Sequence, residues 1–396
     1  MKIYEIGTGY TPIPAQIGAA TEIVVENLTR SLRKQNIPAE IIDIRAKDRG
    51  ATDLPIHEVW VPGCFLGTDI RLGFLHKLKR VVYSVCLAAR LRRVLKAAEE
   101  KVVLHFHNQY NMFFFLLLVP KRLRKRALTA YTNHTGIWQL PWEETERIVK
   151  KRYFQEAACM KRADLVFVLN KETAENVHVH LGVPGERIAL IANGVDTDIY
   201  RPLARNTGEK FGLGGKNVIL QGGSVCDNKG QLRAVEQLLP LLKADENLVY
   251  AYAGGIVEEG YQGKILQLAK ENGLTEQVRY LGMVKPGREL NELYNAADLT
   301  VLLSRYEAFG LVAAESMAAG VPVLIDRHCP AHFEKGCVRC DLPHLAETAR
   351  KLCAEASVQL RTEARAYAVN YYSWDAVAAA YLREFKNGMK KYDEET

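Results

Sequence analysis

Two glutamates, Glu307 and Glu315, lie eight residues apart with Gly310 between them. An apolar run, Leu299–Leu303, precedes the pair and is typical of a buried strand, and a helical pattern follows from about Leu311. The spacing therefore predicts a strand, a glycine-containing turn and a helix. Glu307 falls in the turn, and Glu315 falls one turn into the helix.

The start of that helix is a predicted phosphate site. The backbone N–H groups of Phe309, Gly310 and Leu311 would point out of the helix, where unpaired donors and the helix dipole favour an anion. Gly310 would let a ligand approach the backbone, because glycine has no β-carbon to obstruct it. Glu307 and Glu315 suit hydrogen bonds to sugar and ribose hydroxyls, the alternative being two solvated charges. They do not suit a glycosidase, whose two carboxylates flank the scissile bond.

Three histidines are candidate functional residues. His134 ends a predicted strand and is followed by Thr135 and Gly136; a lone histidine at such a position is either a structural residue or a functional one. His105 and His107 lie within one predicted strand, and we interpret them as pointing to opposite faces. On that interpretation they are poorly placed to share a metal ion.

A cysteine-rich segment near the C-terminus offers four further potential soft ligands. It contains Cys329, His332, Cys337 and Cys340. The four residues between the two pairs are fewer than common zinc spacings require, although zinc is conceivable. We therefore predict reduced thiols in a surface loop and no metal site.

The elements that position these residues form two series of alternating strands and helices. The predicted strands of the first series are Lys2–Ile6, Ala39–Ile44, Glu58–Val61, Val102–Phe106, Leu128–Asn133, Leu165–Leu169 and Ile188–Ile191. Those of the second series are Asn217–Gln221, Leu248–Ala253, Val278–Tyr280, Leu299–Leu303 and Val321–Asp326. Such alternation predicts an α/β protein with parallel sheets covered on both faces. We predict two Rossmann-like, doubly wound domains facing a central cleft.

The predicted domain boundaries follow from these two series. The first domain spans residues 1–192, a linker spans 193–206, and the second domain spans 207–370. A C-terminal helix, 374–387, is predicted to pack back on the first domain. Ligands of doubly wound folds bind at the carboxyl ends of the strands, so the cleft is the predicted site of chemistry.

Several other classes of protein are disfavoured by the sequence. After the first strand the chain reads Gly7-Thr-Gly9-Tyr-Thr-Pro, which lacks the third glycine of a dinucleotide-binding turn, and it has no Walker A motif. The longest apolar run, Met112 to Pro120, is far shorter than the roughly 20 residues of a membrane span. Eight irregularly spaced cysteines favour a reducing, cytoplasmic compartment.

The net charge of +7 is concentrated in two basic stretches of the first domain. Residues 71–96 interleave cationic and apolar side chains, and residues 121–126 read KRLRKR. They predict either a solvated face or a contact with an anionic surface at the inner face of a membrane. No recognition motif accompanies the charge, so we predict no nucleic-acid partner.

The Glu307-x7-Glu315 string resembles the E-x7-E motif of the retaining nucleotide-sugar glycosyltransferases of family 4. Further matches follow in the family's order: Lys229-Gly230, Ala253-Gly254-Gly255, Val278-Arg-Tyr-Leu-Gly282 and Asn193-Gly194. The resemblance spans roughly residues 3–385 and is most specific in the second domain. It implies the two-domain glycosyltransferase-B (GT-B) fold.

The resemblance also implies a role for each matching residue. Lys229 would neutralise the donor diphosphate, Glu315 would hold the ribose, and Glu307 would hold the transferred sugar with the amides of Phe309 and Gly310. From the first domain, His134 would face the donor sugar and Gly18 would approach the phosphates. Val278 would flank the base. The remaining predicted donor contacts are Gly223, Ser224, Gly254, Tyr306, Ala308 and Leu311.

One of these positions departs from the family pattern. The family has an arginine five residues before its phosphate-binding lysine, and this chain has Ser224 there. Without that guanidinium the diphosphate clamp is weaker unless another cation replaces it.

The function that the resemblance implies is metal-independent, retaining transfer of a hexose from a nucleotide diphosphate sugar, with UDP as the expected nucleotide. The acceptor would be a glycan or a lipid-linked glycan, in the assembly of a bacterial surface polysaccharide or glycolipid. No cofactor is expected. Two alternatives remain: a phosphorylase or epimerase on the same fold, and a weakly catalytic partner subunit that binds nucleotide sugar.

Overall fold

The computed structural model describes residues 1–14, 20–66, 74–203, 205–355 and 358–394. The chain divides into two compact units. Unit 1 comprises Met1–Gly194 together with Trp374–Thr396, and unit 2 comprises Val195–Ser373.

Unit 1 is a seven-stranded parallel sheet with helices between its strands. Its strands are β1 (Lys2–Ile6), β2 (Ala39–Ile44), β3 (Ile56–Val59), β4 (Val102–Phe106), β5 (Ala127–Thr132), β6 (Leu165–Val168) and β7 (Ile188–Leu190). Its helices are α1 (Ala20–Lys34), α2 (Phe74–Ala97), α3 (Gln109–Leu118), α4 (Lys121–Arg124), α5 (Trp142–Ile148), α6 (Phe154–Arg162) and α7 (Lys171–Val179). The strand order is β3-β2-β1-β4-β5-β6-β7. The order reverses between β1 and β4, the place where doubly wound sheets bind ligands.

Unit 2 repeats this architecture with six parallel strands. They are β8 (Asn217–Gly222), β9 (Leu248–Ala253), β10 (Val278–Tyr280), β11 (Leu299–Leu302), β12 (Val323–Asp326) and β13 (Cys337–Cys340). The helices are α8 (Gln231–Ala244), α9 (Glu259–Glu271), α10 (Arg288–Asn295), α11 (Leu311–Ala318), α12 (Leu345–Glu355) and α13 (Val358–Tyr372). The strand order is β10-β9-β8-β11-β12-β13, so the reversal lies between β8 and β11.

The last helix, α14 (Trp374–Glu394), belongs to unit 1. Its apolar face, which includes Tyr381 and Phe385, is buried in one core cluster with Ile3, Val103 and Phe167 of the sheet. The opposite face of the same sheet packs on a second cluster, which includes Phe106, Phe115 and Trp138. Both faces of the sheet are therefore buried, which explains the continuous apolar runs of its strands.

Two regions differ from the predicted elements. Helix α3 begins at the N-cap Asn108, whose side chain accepts a hydrogen bond from the backbone of Tyr110, and it coincides with the apolar run for which no element was predicted. The predicted cysteine-rich loop contains β13, which pairs with β12. The prediction of a loop there was wrong, because Cys337 and Cys340 lie in the sheet.

Candidate functional site

The loops that follow β8 and β11 meet at the point in unit 2 where the strand order reverses. Asn228 joins them: its side-chain amide donates to the carbonyl of Tyr306 at 3.1 Å, and its side-chain oxygen accepts from the Tyr306 backbone N–H at 2.9 Å. The carbonyl of Asn228 also accepts from the backbone N–H of Arg305 at 3.0 Å. Arg305 forms an ion pair with Asp227. Residues from two distant motifs are therefore held side by side.

Lys229 and Glu307 form an ion pair between these two loops. The Lys229 Nζ atom lies 2.6 Å from Glu307 Oε2, and the Ser304 hydroxyl donates to the same oxygen at 3.0 Å. Both charged side chains are largely buried, with 22% and 15% of their surfaces exposed. The two predicted residues thus neutralise each other while each keeps a solvent-accessible part.

Two buried glutamines support the loop that carries Lys229. The Gln221 amide donates to the carbonyl of Lys229 at 2.7 Å, and Gln221 accepts from the Tyr250 hydroxyl at 2.7 Å. The Gln231 amide donates to the carbonyl of Ser224 at 2.9 Å. Neither glutamine was predicted; the signal for Gln221 is a polar side chain inside the apolar strand β8, and Gln231 is the first residue of α8.

Gly310 is the N-cap of α11, with a φ of 94° that favours glycine. A β-carbon at this position would lie 3.0 Å from the Phe333 ring and 3.2 Å from the Ala331 side chain. The prediction that the missing β-carbon leaves room for a ligand needs correction. The space behind Gly310 is occupied by the protein, and glycine is required by backbone conformation and internal packing.

Glu315 lies on α11, and its side chain is buried. The Tyr294 hydroxyl donates to its Oε2 atom at 2.9 Å. Burial raises the pKa of Glu315 to about 7, against the opposing effect of hydrogen bonds from Tyr294 and Tyr200. A carboxyl group with this pKa can exchange a proton near neutral pH when its environment changes.

The glycines after β8 and β9 bring two backbone segments together. The N–H of Gly223 donates to the carbonyl of Ala253 at 2.9 Å, and a β-carbon on Gly254 would lie 2.1 Å from the carbonyl oxygen of Gly223. Ser224, in the adjacent turn, is exposed. These three predicted contacts therefore lie together at the carboxyl edge of the sheet.

Val278, which is predicted with its neighbours to flank the base, does not itself lie at that edge. It is the first residue of β10, pairs with Tyr250 in the middle of β9, and is buried in the hydrophobic core. The edge is formed instead by residues that follow β10. Gly282 accepts from the N–H of Gly254 at 2.8 Å, and Met283 is 79% exposed beside Gly255.

The remaining predicted contacts line the turn before α11. Tyr306 and Leu311 are exposed, and Ala308 lies between them in sequence. Phe309 is buried, and its ring packs against Phe333 and Tyr372 at centroid distances of 5.5 and 5.2 Å. For Phe309 only the backbone is suited to contact a ligand.

In unit 1 the three histidines form a network with Glu5 of β1. His107 Nε2 lies 2.8 Å from Glu5 Oε2, and His107 Nδ1 lies 3.0 Å from His134 Nε2. His105 Nδ1 lies 2.8 Å from the same Glu5 oxygen. The prediction that His105 and His107 point to opposite faces was wrong, because residues two apart along a strand share a face.

Burial controls the protonation of this network. Desolvation lowers the pKa of His107 to about 4 and lowers the pKa of His134 well below its ordinary value. For Glu5 desolvation acts in the opposite direction, but the charges and hydrogen bonds of His105 and His107 outweigh it and lower the pKa to about 2. At neutral pH Glu5 is therefore a carboxylate, and His107 and His134 are neutral.

The same network is the one group of potential metal ligands among the described residues. Single ligand atoms of Glu5, His105 and His107 lie within 4.8 Å of one another. The described cysteines form no such group; Cys337 and Cys340 lie three residues apart on β13 and so point to opposite faces. The predicted contact Gly18 lies outside the described residues.

Comparison with known proteins agrees with this architecture. Residues 21–199 match the model of the family described as Glycosyltransferase Family 4, and residues 204–332 match that of Glycosyl transferases group 1. Over 403 residues the chain is 25% identical to a GDP-mannose:cellobiosyl-diphosphopolyprenol alpha-mannosyltransferase of Xanthomonas oryzae pv. oryzae, covering 98% of this chain and 97% of that protein. Over 177 residues it is 35% identical to a D-inositol 3-phosphate glycosyltransferase of Catenulispora acidiphila, covering 43% and 42% of the two chains.

The fold is shared with solved structures. The crystal structure of HepE of Anabaena, in complex with UDP and glucose, matches with a TM-score of 0.66 and 15% identity, covering 98% of this chain and 99% of that one. The chain spans about half the length or less of several curated relatives that it matches. Two parallel doubly wound units and a glutamate pair at the start of α11 define a glycosyltransferase of the GT-B fold. The chain belongs to glycosyltransferase family 4. No helix in the described part of the chain is long and apolar enough to cross a membrane.

Proposed function

We propose that the protein transfers a hexose from a nucleotide diphosphate sugar to an acceptor hydroxyl, with retention at the anomeric carbon and without a metal ion. The observation that carries this proposal is the Lys229–Glu307 ion pair in the turns before α8 and α11, together with the buried carboxyl of Glu315 on α11 itself. The donor of such a reaction requires a cation for its diphosphate and hydrogen-bond acceptors for its hydroxyls, and these three side chains supply both kinds of group.

Each group has a role in the proposed transfer. Lys229 neutralises charge on the leaving diphosphate, and the unpaired N–H groups at the start of α11 add to this stabilisation. When the diphosphate takes up Lys229, Glu307 is released to accept hydrogen bonds from the sugar. Glu315 accepts hydrogen bonds from the ribose hydroxyls. The acceptor attacks the face that the diphosphate leaves, and the leaving oxygen takes the acceptor's proton.

The family has an arginine at the position of Ser224, and we propose that Arg233 replaces it. It lies in the first turn of α8, and its guanidinium donates to the carbonyl of Leu303 at 2.8 Å. Within the described part of the chain it has no carboxylate partner, whereas Arg305 is paired with Asp227. The Arg233 guanidinium lies beside Gly230, the residue that follows Lys229.

UDP is the proposed nucleotide. The shared fold of HepE, which was crystallised with UDP and glucose, supports it. GDP-mannose is the second candidate, because the Xanthomonas relative that matches nearly the whole chain is named for that donor. Direct competition between UDP and GDP for the protein decides between them.

A phosphate-bearing acceptor, such as a lipid-linked glycan, is proposed for unit 1. Arg80 stacks over the Tyr10 ring at 4.0 Å, beside the loop after β1, and its buried Nε atom has no hydrogen-bond partner. Among the described residues Arg80 has no carboxylate partner. The names of both sequence relatives above include a phosphate or diphosphate group. An arginine with an unused planar donor suits that group.

Contact with an anionic membrane surface is proposed for α4 and the end of α3. Lys121, Arg122 and Lys125 are exposed, next to Leu117 and Leu118, which are 65% and 44% exposed. The side chains of Arg124 and Arg126 have another task, because they donate to carbonyls at the ends of α3 and α2. Of the predicted basic stretch 71–96, residues 71–73 lie outside the described residues.

Release of nucleoside diphosphate tests the proposed function. UDP-hexoses and GDP-mannose are incubated with the protein and a polyprenyl-diphosphate glycan, with and without excess EDTA. We expect release of nucleoside diphosphate that depends on the acceptor and is unchanged by EDTA. By NMR, the new glycosidic bond should have the same anomeric configuration as the sugar in the donor. Release that needs manganese or magnesium would contradict metal independence. Sugar exchange without an acceptor would favour a phosphorylase or epimerase, and donor binding without turnover would favour a partner subunit.

A further inference from the structure

We propose that Glu5 and His107 position His134 by fixing its ring tautomer, so that His134 presents the lone pair of Nδ1 as a hydrogen-bond acceptor for a sugar hydroxyl. This inference rests on the proposed function in that it takes the donor sugar as the ligand of His134. Glu5 and His107 are positioning residues, since they act through His134.

The order of the hydrogen bonds follows from Glu5. An ionised carboxylate can only accept hydrogen bonds, so His107 Nε2, 2.8 Å from Glu5 Oε2, must carry a proton. His107 is then neutral with its lone pair on Nδ1. His134 Nε2, 3.0 Å away, must donate to that lone pair. A neutral His134 is left with its own lone pair on Nδ1.

The surroundings of the network oppose the other tautomer. Glu5 and His107 are buried, and within the described part of the chain the other titratable groups that face the network are His105 of β4 and Tyr381 of α14. His105 Nε2 lies 2.7 Å from the Thr132 hydroxyl, which in turn lies 3.3 Å from the Tyr381 hydroxyl. This branch runs from His105 through Thr132 to Tyr381, and neither of its two hydrogen bonds involves His134.

A metal ion is a less suitable occupant of this cluster. The His107–Glu5 and His107–His134 contacts of 2.8 and 3.0 Å are hydrogen-bond distances, and together they use both ring nitrogens of His107. A hydrogen bond therefore accounts for each of these two close contacts without a metal ion.

NMR of the protein labelled with 15N-histidine tests the tautomer directly. Two-bond correlations between ring protons and ring nitrogens distinguish a protonated nitrogen from one with a lone pair, and the spectrum of His134→Gln assigns the signals of His134. We expect His134 in the Nε2–H form in the wild-type protein at pH 7. The Nδ1–H form, or a charged ring, would overturn the proposal.

Two substitutions of His107 form a matched pair, because both replace the ring by an amide. In His107→Asn the amide lies near the position of Nδ1 and can still accept from His134, so the Nε2–H form should persist. In His107→Gln the amide extends towards Glu5 and leaves His134 without its acceptor, so the tautomers should mix. Glu5→Gln, which keeps the shape of the side chain but can donate to His107, should also mix them.

Tyr381→Phe is the control for general disturbance of the core. It removes the hydroxyl at the end of the other branch and should leave the His134 spectrum unchanged. An unchanged His134 tautomer in both His107→Gln and Glu5→Gln would overturn the proposal.

The transfer rate separates this inference from the proposed function. We expect a rate about tenfold lower in His107→Gln than in His107→Asn, the cost of one misdirected hydrogen bond. If the wild-type protein shows no transfer with any donor, the proposed function fails while the NMR result still decides the tautomer. If transfer is normal and the two variants have equal rates, the positioning role fails and the proposed function stands.

Discussion

The carboxyl edges of the two sheets hold their functional groups in opposite electrostatic states. In unit 2, Lys229 and Glu307 are both charged, lie 2.6 Å apart and remain partly exposed. In unit 1, His107 and His134 are kept neutral by burial, above a fully buried carboxylate, Glu5. A partly exposed ion pair can exchange one partner for a ligand, whereas a fully buried hydrogen-bond network keeps one arrangement. We infer that unit 2 offers charged side chains that can change partner when a ligand binds, whereas unit 1 offers a histidine ring held in one orientation.

The largest expected effect is a change of stability with pH, and it comes from Glu315, the buried acid among the described residues of unit 2. Its pKa rises from 4.5 in the unfolded chain to about 7 in the folded protein. The folded protein holds this proton more tightly than the unfolded chain does. The resulting stabilisation is fully present below pH 4.5 and is lost as the pH rises through 7. The free energy of unfolding of the ligand-free protein should therefore fall by up to about 3 kcal/mol over this range.

Urea unfolding at pH 5 and pH 8.5 measures this loss. Glu315→Gln cannot ionise, so the variant should gain stability relative to the wild-type protein at the higher pH. Tyr294→Phe, which removes one hydrogen bond to the same carboxyl, is the matched control that keeps the ionisable group. An equal difference between wild type and Glu315→Gln at both pH values would contradict a raised pKa.

The ion pair gives the second effect. Lys229→Ala should weaken donor binding by about 2 kcal/mol, the cost of losing a hydrogen bond to a charged group. Because Glu307 is then left without its cation, adding Glu307→Gln should cost less in the double variant than in the wild-type protein. Donor affinities of the four proteins form the cycle that measures this coupling, and additive losses would show that the two side chains act independently.

The third effect concerns the exposed cations of unit 1. Replacing Lys121, Arg122 and Lys125 by Gln should weaken binding to anionic vesicles by about 1 kcal/mol for each charge, without changing donor affinity. Arg124 and Arg126 are left in place because they support helix ends. Sedimentation with anionic and neutral vesicles checks this at two salt concentrations, since the attraction is screened by salt. Equal sedimentation with both vesicles, or with neither, would indicate a solvated face.

The two units also differ in how much of each site could be predicted from the sequence. The two series of strands and the position of Glu315 on a helix followed from apolar periodicity and from one continuous motif. The strand β13 was missed because two cysteines and an arginine occupy a four-residue edge strand with no apolar run. Val278 begins the strand Val278–Tyr280, and the rule that ligands bind at the carboxyl ends of strands favours the residues after Tyr280 instead.

The network of unit 1 could not have been predicted, because Glu5, His107 and His134 are distant in sequence. They meet only because β1, β4 and β5 are neighbours in the sheet. No local pattern carries that information, and the wrong assignment of faces to His105 and His107 hid it further. A rule that residues two apart share a face, combined with the order of the strands, could have indicated it.

Titration calorimetry of nucleotide sugars tests the central claim most directly. The wild-type protein should bind a UDP-sugar, or GDP-mannose, in the presence of EDTA, and Lys229→Ala and Glu315→Ala should each bind it about 10-fold to 100-fold more weakly. Tyr381→Phe, on the far branch of the unit 1 network, should bind it as the wild-type protein does. Absence of binding by every nucleotide sugar, or unchanged affinity in both variants, would contradict the account.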